Sequence, residues 1–229
     1  MTFDFHFFMF GIFPYIMGTV LIFGSIIRFD RDPYSWRSKS SQLLRKKQLT
    51  LGSNLFHIGI LIVLAGHAAG LLTPLWVFEA IGISHSFKQI MAMTVGGIAG
   101  GICLVGLLML LYRRLFDKRV RATSSWRDIA ILVLLLSQLL LGLGTIPVSA
   151  QHLDGVEMVK FMNWVQAIIT FQAGAADFIR DVHPIFKAHL ILGQLIFLIF
   201  PFTRLVHVWS APWAYIFRRQ YQIVRRREV

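Results

Sequence analysis

Five apolar stretches, each about as long as a lipid bilayer is thick, constrain the fold of this chain more than any other feature. A helix crosses a hydrocarbon core of about 30 Å with about 20 residues. The stretches cover residues 5–27, 51–72, 90–112, 129–147 and 185–208. We therefore predict an all-α integral membrane protein, a bundle of five transmembrane helices that forms a single domain over residues 1–229.

Charge is scarce and unevenly placed. Charged residues make up only 15% of the chain, against about 25% in soluble domains. The net charge is +12 at pH 7, and most of the basic residues lie in residues 28–47, 113–127 and the tail 212–229. Loops rich in Lys and Arg stay in the cytoplasm. The pattern therefore predicts an external N-terminus, a cytoplasmic C-terminus, and orientation in a membrane rather than nucleic-acid binding.

The sequence shows no catalytic motif of its own. Its single cysteine, Cys103, excludes an intrachain disulfide and a cysteine-based zinc or iron–sulfur site. Neither a glycine-rich phosphate loop nor a nucleophile–base motif is present. The longest loop, residues 148–184, is predicted to include a short helix along the membrane interface. We expect residues that bind cofactor or substrate, and no catalytic side chain.

Two of the apolar stretches contain histidines, His57 and His67 in the second and His189 and His207 in the fifth. Ionisable residues are costly in a bilayer, and imidazole is a common axial ligand of haem iron. With the predicted orientation, His57 pairs with His207 near the cytoplasm. His67 pairs with His189 near the outer surface. One such histidine alone would favour an interhelical hydrogen bond, but four that match in depth predict two bis-histidine haems.

The distance between the two histidines differs between the second and the fifth stretch. His57 and His67 are ten residues apart, about 15 Å along a helix, whereas His189 and His207 are 18 apart, about 27 Å. On continuous helices, this difference requires tilted helices or haems that are not coaxial.

Glycines surround these histidines, and they suit two purposes. Small residues give a haem access to a backbone, and they also let helices pack closely. Both interpretations stay open for the second stretch and Gly193. Packing is favoured for the third stretch. The glycines in question are Gly52, Gly59, Gly66 and Gly70 in the second stretch and Gly96, Gly97, Gly100 and Gly101 in the third.

Several longer motifs resemble the gamma (cytochrome b) subunit of membrane-bound respiratory nitrate reductase. They are SNLFHIGIL around His57, LLTPLW at 71–76, RVRAT at 119–123, TIPVSAQHLDGVEM at 145–158, AHLILG at 188–193 and PFTRLVHVWSAP at 201–212. The resemblance covers essentially the whole chain. It implies the same five-span layout, in a bacterial or archaeal cytoplasmic membrane.

The resemblance also implies an activity. Two haems b are held by the histidine pairs already predicted, the inner by His57 and His207 and the outer by His67 and His189. Quinol, either menaquinol or ubiquinol, is oxidised near the outer haem. Electrons pass inward to an iron–sulfur beta subunit and then to a molybdenum alpha subunit that reduces nitrate to nitrite in the cytoplasm.

Three further residues are candidates for ligand contacts. In the family a lysine at the outer start of the third span is implicated in quinol binding, and the motif KQIMAM places it at Lys88. Gly70 is a second candidate quinol contact. Arg204 is a candidate partner for a haem propionate. The alternatives are an interfacial anchor for Lys88 and a positive-inside anchor for Arg204. The basic tail is expected to dock on a soluble subunit.

Other functions remain open from the sequence. The same di-haem protein could serve another quinone-linked oxidoreductase, such as a hydrogenase or a heterodisulfide-reductase-like complex. A histidine-lined transporter is less favoured, because the sequence shows no inverted repeat and no intramembrane carboxylate in the central spans. A cofactor-free membrane anchor leaves four buried histidines without a role.

Overall fold

The computed structural model describes residues 3–36 and 44–210. Within these ranges the chain is helical and contains no strand. The helices long and apolar enough to cross a membrane are Phe5–Arg31, Lys46–Leu72, His85–Phe116, Trp126–Ser149 and Pro184–Phe202, called the first to fifth spans. The all-α, five-span prediction is confirmed. The basic tail 212–229 lies outside the described residues.

The spans begin at residues that cap helices well. The side chain of Ser84 accepts from the Phe87 backbone N–H ahead of the third span. Ser125 and Asp128 form a reciprocal capping box at the start of the fourth. Such caps satisfy backbone donors that the first helical turn leaves free. They also explain why the third span begins five residues before the apolar stretch that predicted it.

The spans pack as a continuous series: second on third, third on fourth, fourth on fifth, and fifth on first. Glycines let the second and third spans approach each other closely. A Cβ added at Gly59 would lie 2.6 Å from the Cβ of Cys103, and one at Gly52 would lie 3.2 Å from the Cβ of Met109. In the part of the chain described, a Cβ added at Gly66 or Gly70 meets nothing within 4 Å. The second span therefore uses two glycines for packing and leaves two facing open space.

The third span divides in the same way. A Cβ added at Gly100 would lie 2.8 Å from Leu143, and one at Gly97 would lie 3.3 Å from Ile146, both on the fourth span. At Gly96 and Gly101 no described atom lies within 4 Å of the added Cβ. Packing, the interpretation favoured for this span, holds for two of its four central glycines.

The fifth span differs from the continuous helix predicted through residue 208. Its α-helix ends at Ile199, a 3-10 turn covers Phe200–Phe202, and Thr203 is extended at φ −112° and ψ 179°. A second 3-10 segment, Arg204–Ser210, follows. Pro201 explains the break, because proline has no backbone N–H to donate and its ring clashes with the carbonyl one turn earlier. His189 and His207 are consequently not on one helix.

The long loop contains the predicted short helix, Val156–Ile169, called here the loop helix. A 3-10 turn, Ala175–Ile179, follows it. Trp164 of the loop helix is buried against Phe10 of the first span and donates from Nε1 to the Phe10 carbonyl at 2.9 Å. The amide of Gln166 donates to the carbonyls of Leu71 and Leu72 at 3.0 and 2.9 Å. The loop helix thereby ties the start of the first span to the end of the second.

Candidate functional site

The structure brings the four membrane histidines together in the predicted pairs. The imidazole centres of His57 and His207 are 6.3 Å apart, with the ring planes at 68°. Those of His67 and His189 are 6.2 Å apart, with the planes at 43°. His207 follows the break after Ile199 and lies outside the fifth helix, so the spacing of 18 residues is not a distance along one helix axis. The pair of His67 and His189 links the second span to the fifth, and the pair of His57 and His207 links it to the 3-10 segment Arg204–Ser210.

These separations match two imidazoles that share one metal. A metal–imidazole bond is about 2 Å and the bonded nitrogen lies about 1 Å from the ring centre, so two imidazoles on opposite sides of one metal have ring centres about 6 Å apart. Among the described elements, the second and fifth spans have almost no close main-chain contact. The main chains of the two spans therefore leave space between them, and the imidazole pairs lie on either side of it.

Hydrogen bonds orient three of the four imidazoles. Nδ1 of His57 donates to the Ser53 carbonyl at 2.7 Å, Nδ1 of His67 to the Val63 carbonyl at 2.8 Å, and Nδ1 of His207 to the Arg204 carbonyl at 2.6 Å. A carbonyl only accepts, so Nδ1 carries a proton, and in the neutral ring Nε2 then keeps a free lone pair. Protein ligands to metals are oriented by such bonds.

His189 is held differently. A Cβ added at Gly142 of the fourth span would lie 3.0 Å from its Cε1, so this glycine makes room for the ring. Gln138 donates from Nε2 to the His189 carbonyl at 3.1 Å, and its nitrogen is 3.5 Å from the ring Nε2. A Cβ added at Gly193 would lie 3.1 Å from Nε2 of Gln138, so this glycine makes room for the Gln138 amide. Nδ1 of His189 is buried and has no hydrogen-bond partner among the described residues.

A haem fits these pairs better than a metal ion bound by protein alone. A haem supplies the in-plane ligands itself and needs only two axial side chains. The described part of the chain contains no group of three or more His, Cys, Asp or Glu that could hold a metal ion. His57 and His67 are exposed in the middle of a membrane span, where a bare polar group in hydrocarbon is costly. A large apolar group that covers both imidazoles removes that cost.

Arg204, the candidate propionate partner, is engaged with a carboxylate. Its guanidinium donates from Nε and Nη2 to Asp128, the capping residue of the fourth span. Asp128 also pairs with Arg114 of the third span, at 3.4 Å. This partly buried cluster joins three chain segments just ahead of His207. The propionate role of Arg204 stays a prediction.

Lys88 is buried and does not extend to the surface. Its residue is 4% exposed. Its Nζ lies 2.6 Å from the sulfur of Met162 on the loop helix and 4.0 Å from the ring centre of Phe78. Met162 and Gln166 are one turn apart, and Gln166 binds the end of the second span. Lys88 and the segment beside Gly70 therefore meet the same side of the loop helix.

Sequence reasoning missed Gln138, Gly142 and Asp128. Gln138 and Asp128 had a signal, since each is a polar residue in or next to an otherwise apolar stretch. Gly142 had none, because its neighbour His189 is 47 residues away along the chain and only the packing of the fourth span on the fifth brings them together.

Comparison with known proteins identifies the family. The family model described as nitrate reductase gamma subunit matches residues 6–227. The respiratory nitrate reductase 1 gamma chain of Escherichia coli is 52% identical over 96% of this chain and 97% of its own length. The nitrate reductase gamma chain of Bacillus subtilis is 42% identical over 95% of this chain and 96% of its own length.

A more distant relative carries a different name. The Hdr-like menaquinol oxidoreductase cytochrome b-like subunit of Archaeoglobus fulgidus is 26% identical, over 85% of this chain and 63% of its own length. The Escherichia coli and Bacillus subtilis chains share more identical residues with this chain, and the match covers nearly their full length. With its five apolar spans, this chain is a multi-pass protein of the cytoplasmic membrane. It belongs to the nitrate reductase gamma subunit family.

Proposed function

We propose that this chain is the membrane anchor and quinol-oxidising electron-transfer subunit of a respiratory nitrate reductase. It holds two haems b, one between His57 and His207 and one between His67 and His189. The observation that carries the proposal is the pairing of four imidazoles, with ring centres 6.3 and 6.2 Å apart, between segments whose main chains make few close contacts. We treat residues 1–229 as a single domain built around these pairs.

The chain's own residues hold and orient the ligands. The second span supplies His57 and His67, and backbone carbonyls fix the protonated nitrogen of each ring. Gly66, the neighbour of His67 in the chain, leaves open space that suits a flat macrocycle. When bound, haem supplies one-electron redox chemistry whose potential depends on axial ligation and burial.

Quinol is oxidised at the end of the bundle that holds Lys88 and His67. Lys88 provides a buried ammonium that donates hydrogen bonds to a quinol oxygen. Gly70 lacks a side chain and leaves the neighbouring space open to a ring. The loop helix covers this end through Met162 and Gln166.

The acceptors lie on the cytoplasmic side. The three basic segments are the first loop, the third loop and the tail, and the positive-inside rule puts them in the cytoplasm. An iron–sulfur beta subunit binds this basic face, and a molybdenum alpha subunit carries out nitrate reduction. The names of the Escherichia coli relatives support these partners, since a gamma chain belongs to a multi-subunit enzyme.

The orientation is tested by reporter fusions. Fusions after Lys47 and Lys118 should report the cytoplasm, and fusions near Ser84 and Asp154 should report the exterior. The reason is the excess of Lys and Arg in the first and third loops. Alkaline phosphatase activity, matched by a cytoplasmic reporter at each position, gives the readout. Cytoplasmic signal at Asp154 contradicts the five-span orientation.

A second candidate function is the same di-haem subunit serving another acceptor. The Archaeoglobus relative, whose name describes a subunit of a menaquinol oxidoreductase, favours it. Its 26% identity is half of the 52% shared with the Escherichia coli gamma chain, so nitrate remains the acceptor we propose. Copurification decides between them, because a nitrate reductase brings a molybdenum subunit with this chain.

One spectrum tests the haem proposal. The purified protein should show b-type bands in the dithionite-reduced minus oxidised difference spectrum, with about two haems per chain, since two bis-histidine sites are present. A preparation without haem bands would leave a transporter or a cofactor-free anchor as the function. A ratio near one would mean that only one histidine pair binds haem.

A further inference from the structure

His207 has no long helix to hold it in place. It lies in the 3-10 segment Arg204–Ser210, after the break at Pro201 and Thr203. A short 3-10 segment has poorer hydrogen-bond geometry than an α-helix. Metal ligands need a fixed orientation. The residues that secure this segment therefore decide how well His207 meets His57.

Arg28, on the first span, binds both sides of the break. Its Nη1 donates to the Pro201 carbonyl at 2.6 Å and to the Thr203 carbonyl at 2.8 Å. Carbonyls at the end of a helix have no intrahelical partner, and a buried one without a partner is costly. Arg28 supplies those partners at the point where the chain leaves the fifth helix.

Arg28 is itself fixed from the opposite side. Its Nε donates to the Ser35 hydroxyl at 3.1 Å, and Nη2 donates to the Ser35 carbonyl at 2.9 Å. The Ser35 hydroxyl donates to the Asp32 carbonyl at 3.0 Å. The guanidinium is thus used as a planar fork with four hydrogen bonds, a geometry that lysine cannot reproduce.

Two further contacts attach the same segment to the same part of the chain. A Cβ added at Gly24, one turn before Arg28, would lie 3.1 Å from the Pro201 ring. The indole of Trp36 donates to the Ser210 hydroxyl at 2.5 Å. The first span and the turn after it therefore hold the segment at its beginning and at its end, and His207 lies between these points.

We propose that Arg28 is a positioning residue for His207, so that the first span, which contains none of the four paired histidines, controls one haem. The inference rests on the proposed function, because it needs His207 to be a haem ligand. The ordinary role for arginine at this end of a span is a positive-inside anchor. An anchor needs only charge, and it should affect both haems equally or neither.

The test compares Arg28→Gln with Arg28→Lys in the intact complex. Arg31→Gln is the matched control, because Arg31 lies one turn further on the same helix with 83% of its side chain exposed. Redox titration of the difference spectrum resolves the two haems. In Arg28→Gln the haem assigned to His57 and His207 should shift in midpoint potential or fall in occupancy, and the other haem should keep both. Arg28→Lys should show a smaller change, and Arg31→Gln none.

Parallel titration of His207→Ala separates the possible failures. If His207→Ala removes one haem and Arg28→Gln leaves that haem at the wild-type potential and occupancy, the role of Arg28 is overturned. Loss of both haems in Arg28→Gln with full rescue by Arg28→Lys would also overturn it, because charge alone would then suffice. If His207→Ala itself leaves both haems unchanged, the proposed ligand assignment fails instead.

Discussion

Replacement of His67 or His189 by alanine should remove the outer haem and spare the inner one. Replacement of His57 or His207 by alanine should remove the inner haem and spare the outer one. Each replacement takes away one of two axial ligands from a pair whose ring centres are 6.2 or 6.3 Å apart. The remaining imidazole cannot hold the group with the same affinity, since haem binding here depends on both spans at once. Haem content should therefore fall by about half in each variant, as one of two bis-histidine sites is lost.

Pyridine haemochrome quantification combined with redox titration measures this result. His152→Ala is the matched control, because His152 is an exposed loop histidine whose backbone carbonyl, and not its ring, accepts from Gln89. That variant should keep both haems. If the His57 and His189 variants lost the same spectroscopic component, the ligand pairing would be wrong.

Much of the fold could be predicted because the position of each membrane span depends on a local run of apolar residues. Apolar length predicts a span without any tertiary information, and all five spans are confirmed. The histidine pairs could be predicted for a related reason. Depth follows from position within a span, so antiparallel spans place His57 opposite His207 and His67 opposite His189.

The end of the fifth span could not be predicted in this way. Residues 200–208 are still largely apolar, although they include Arg204 and His207, so hydropathy alone does not mark the break. What ends the helix is the missing N–H of Pro201, which affects hydrogen bonding and not polarity. The unequal spacing of the histidines was an indication, because 18 residues of continuous helix are too long for a partner pair ten residues apart.

The roles of residues that support the site through tertiary contacts also could not be predicted from the sequence. Gly52, Gly59, Gly66 and Gly70 look alike in the second span, yet the first two pack on the third span and the last two face open space. Arg28 looks like an ordinary basic residue at a span end, and its four hydrogen bonds appear only when the first span lies beside the end of the fifth. Such roles depend on neighbours that are far away in the chain.

Removal of the Lys88 ammonium should slow the reduction of both haems by quinol while leaving the haems bound. Nζ of Lys88 contacts the sulfur of Met162 and the ring of Phe78. Methionine is therefore the informative replacement, because it fills similar space against apolar neighbours and removes only the charge. Haem content and dithionite reduction should stay at wild-type levels.

The size of the effect follows from one charged hydrogen bond. Its loss costs about 1.5–3 kcal/mol, which corresponds to a decrease of about 10- to 100-fold in the rate of quinol-driven haem reduction. Lys88→Arg should recover part of that rate, because the guanidinium keeps the charge but not the compact shape of the ammonium.

Lys160→Met is the matched control, since Lys160 lies on the loop helix near Met162 but pairs with Glu157 at 2.7 Å. Stopped-flow reduction by a quinol analogue gives the rates. Nitrate reduction driven by a dye that feeds the soluble subunits directly should continue in all three variants. Wild-type quinol kinetics in Lys88→Met would show that this buried lysine has a structural role and that quinol binds elsewhere.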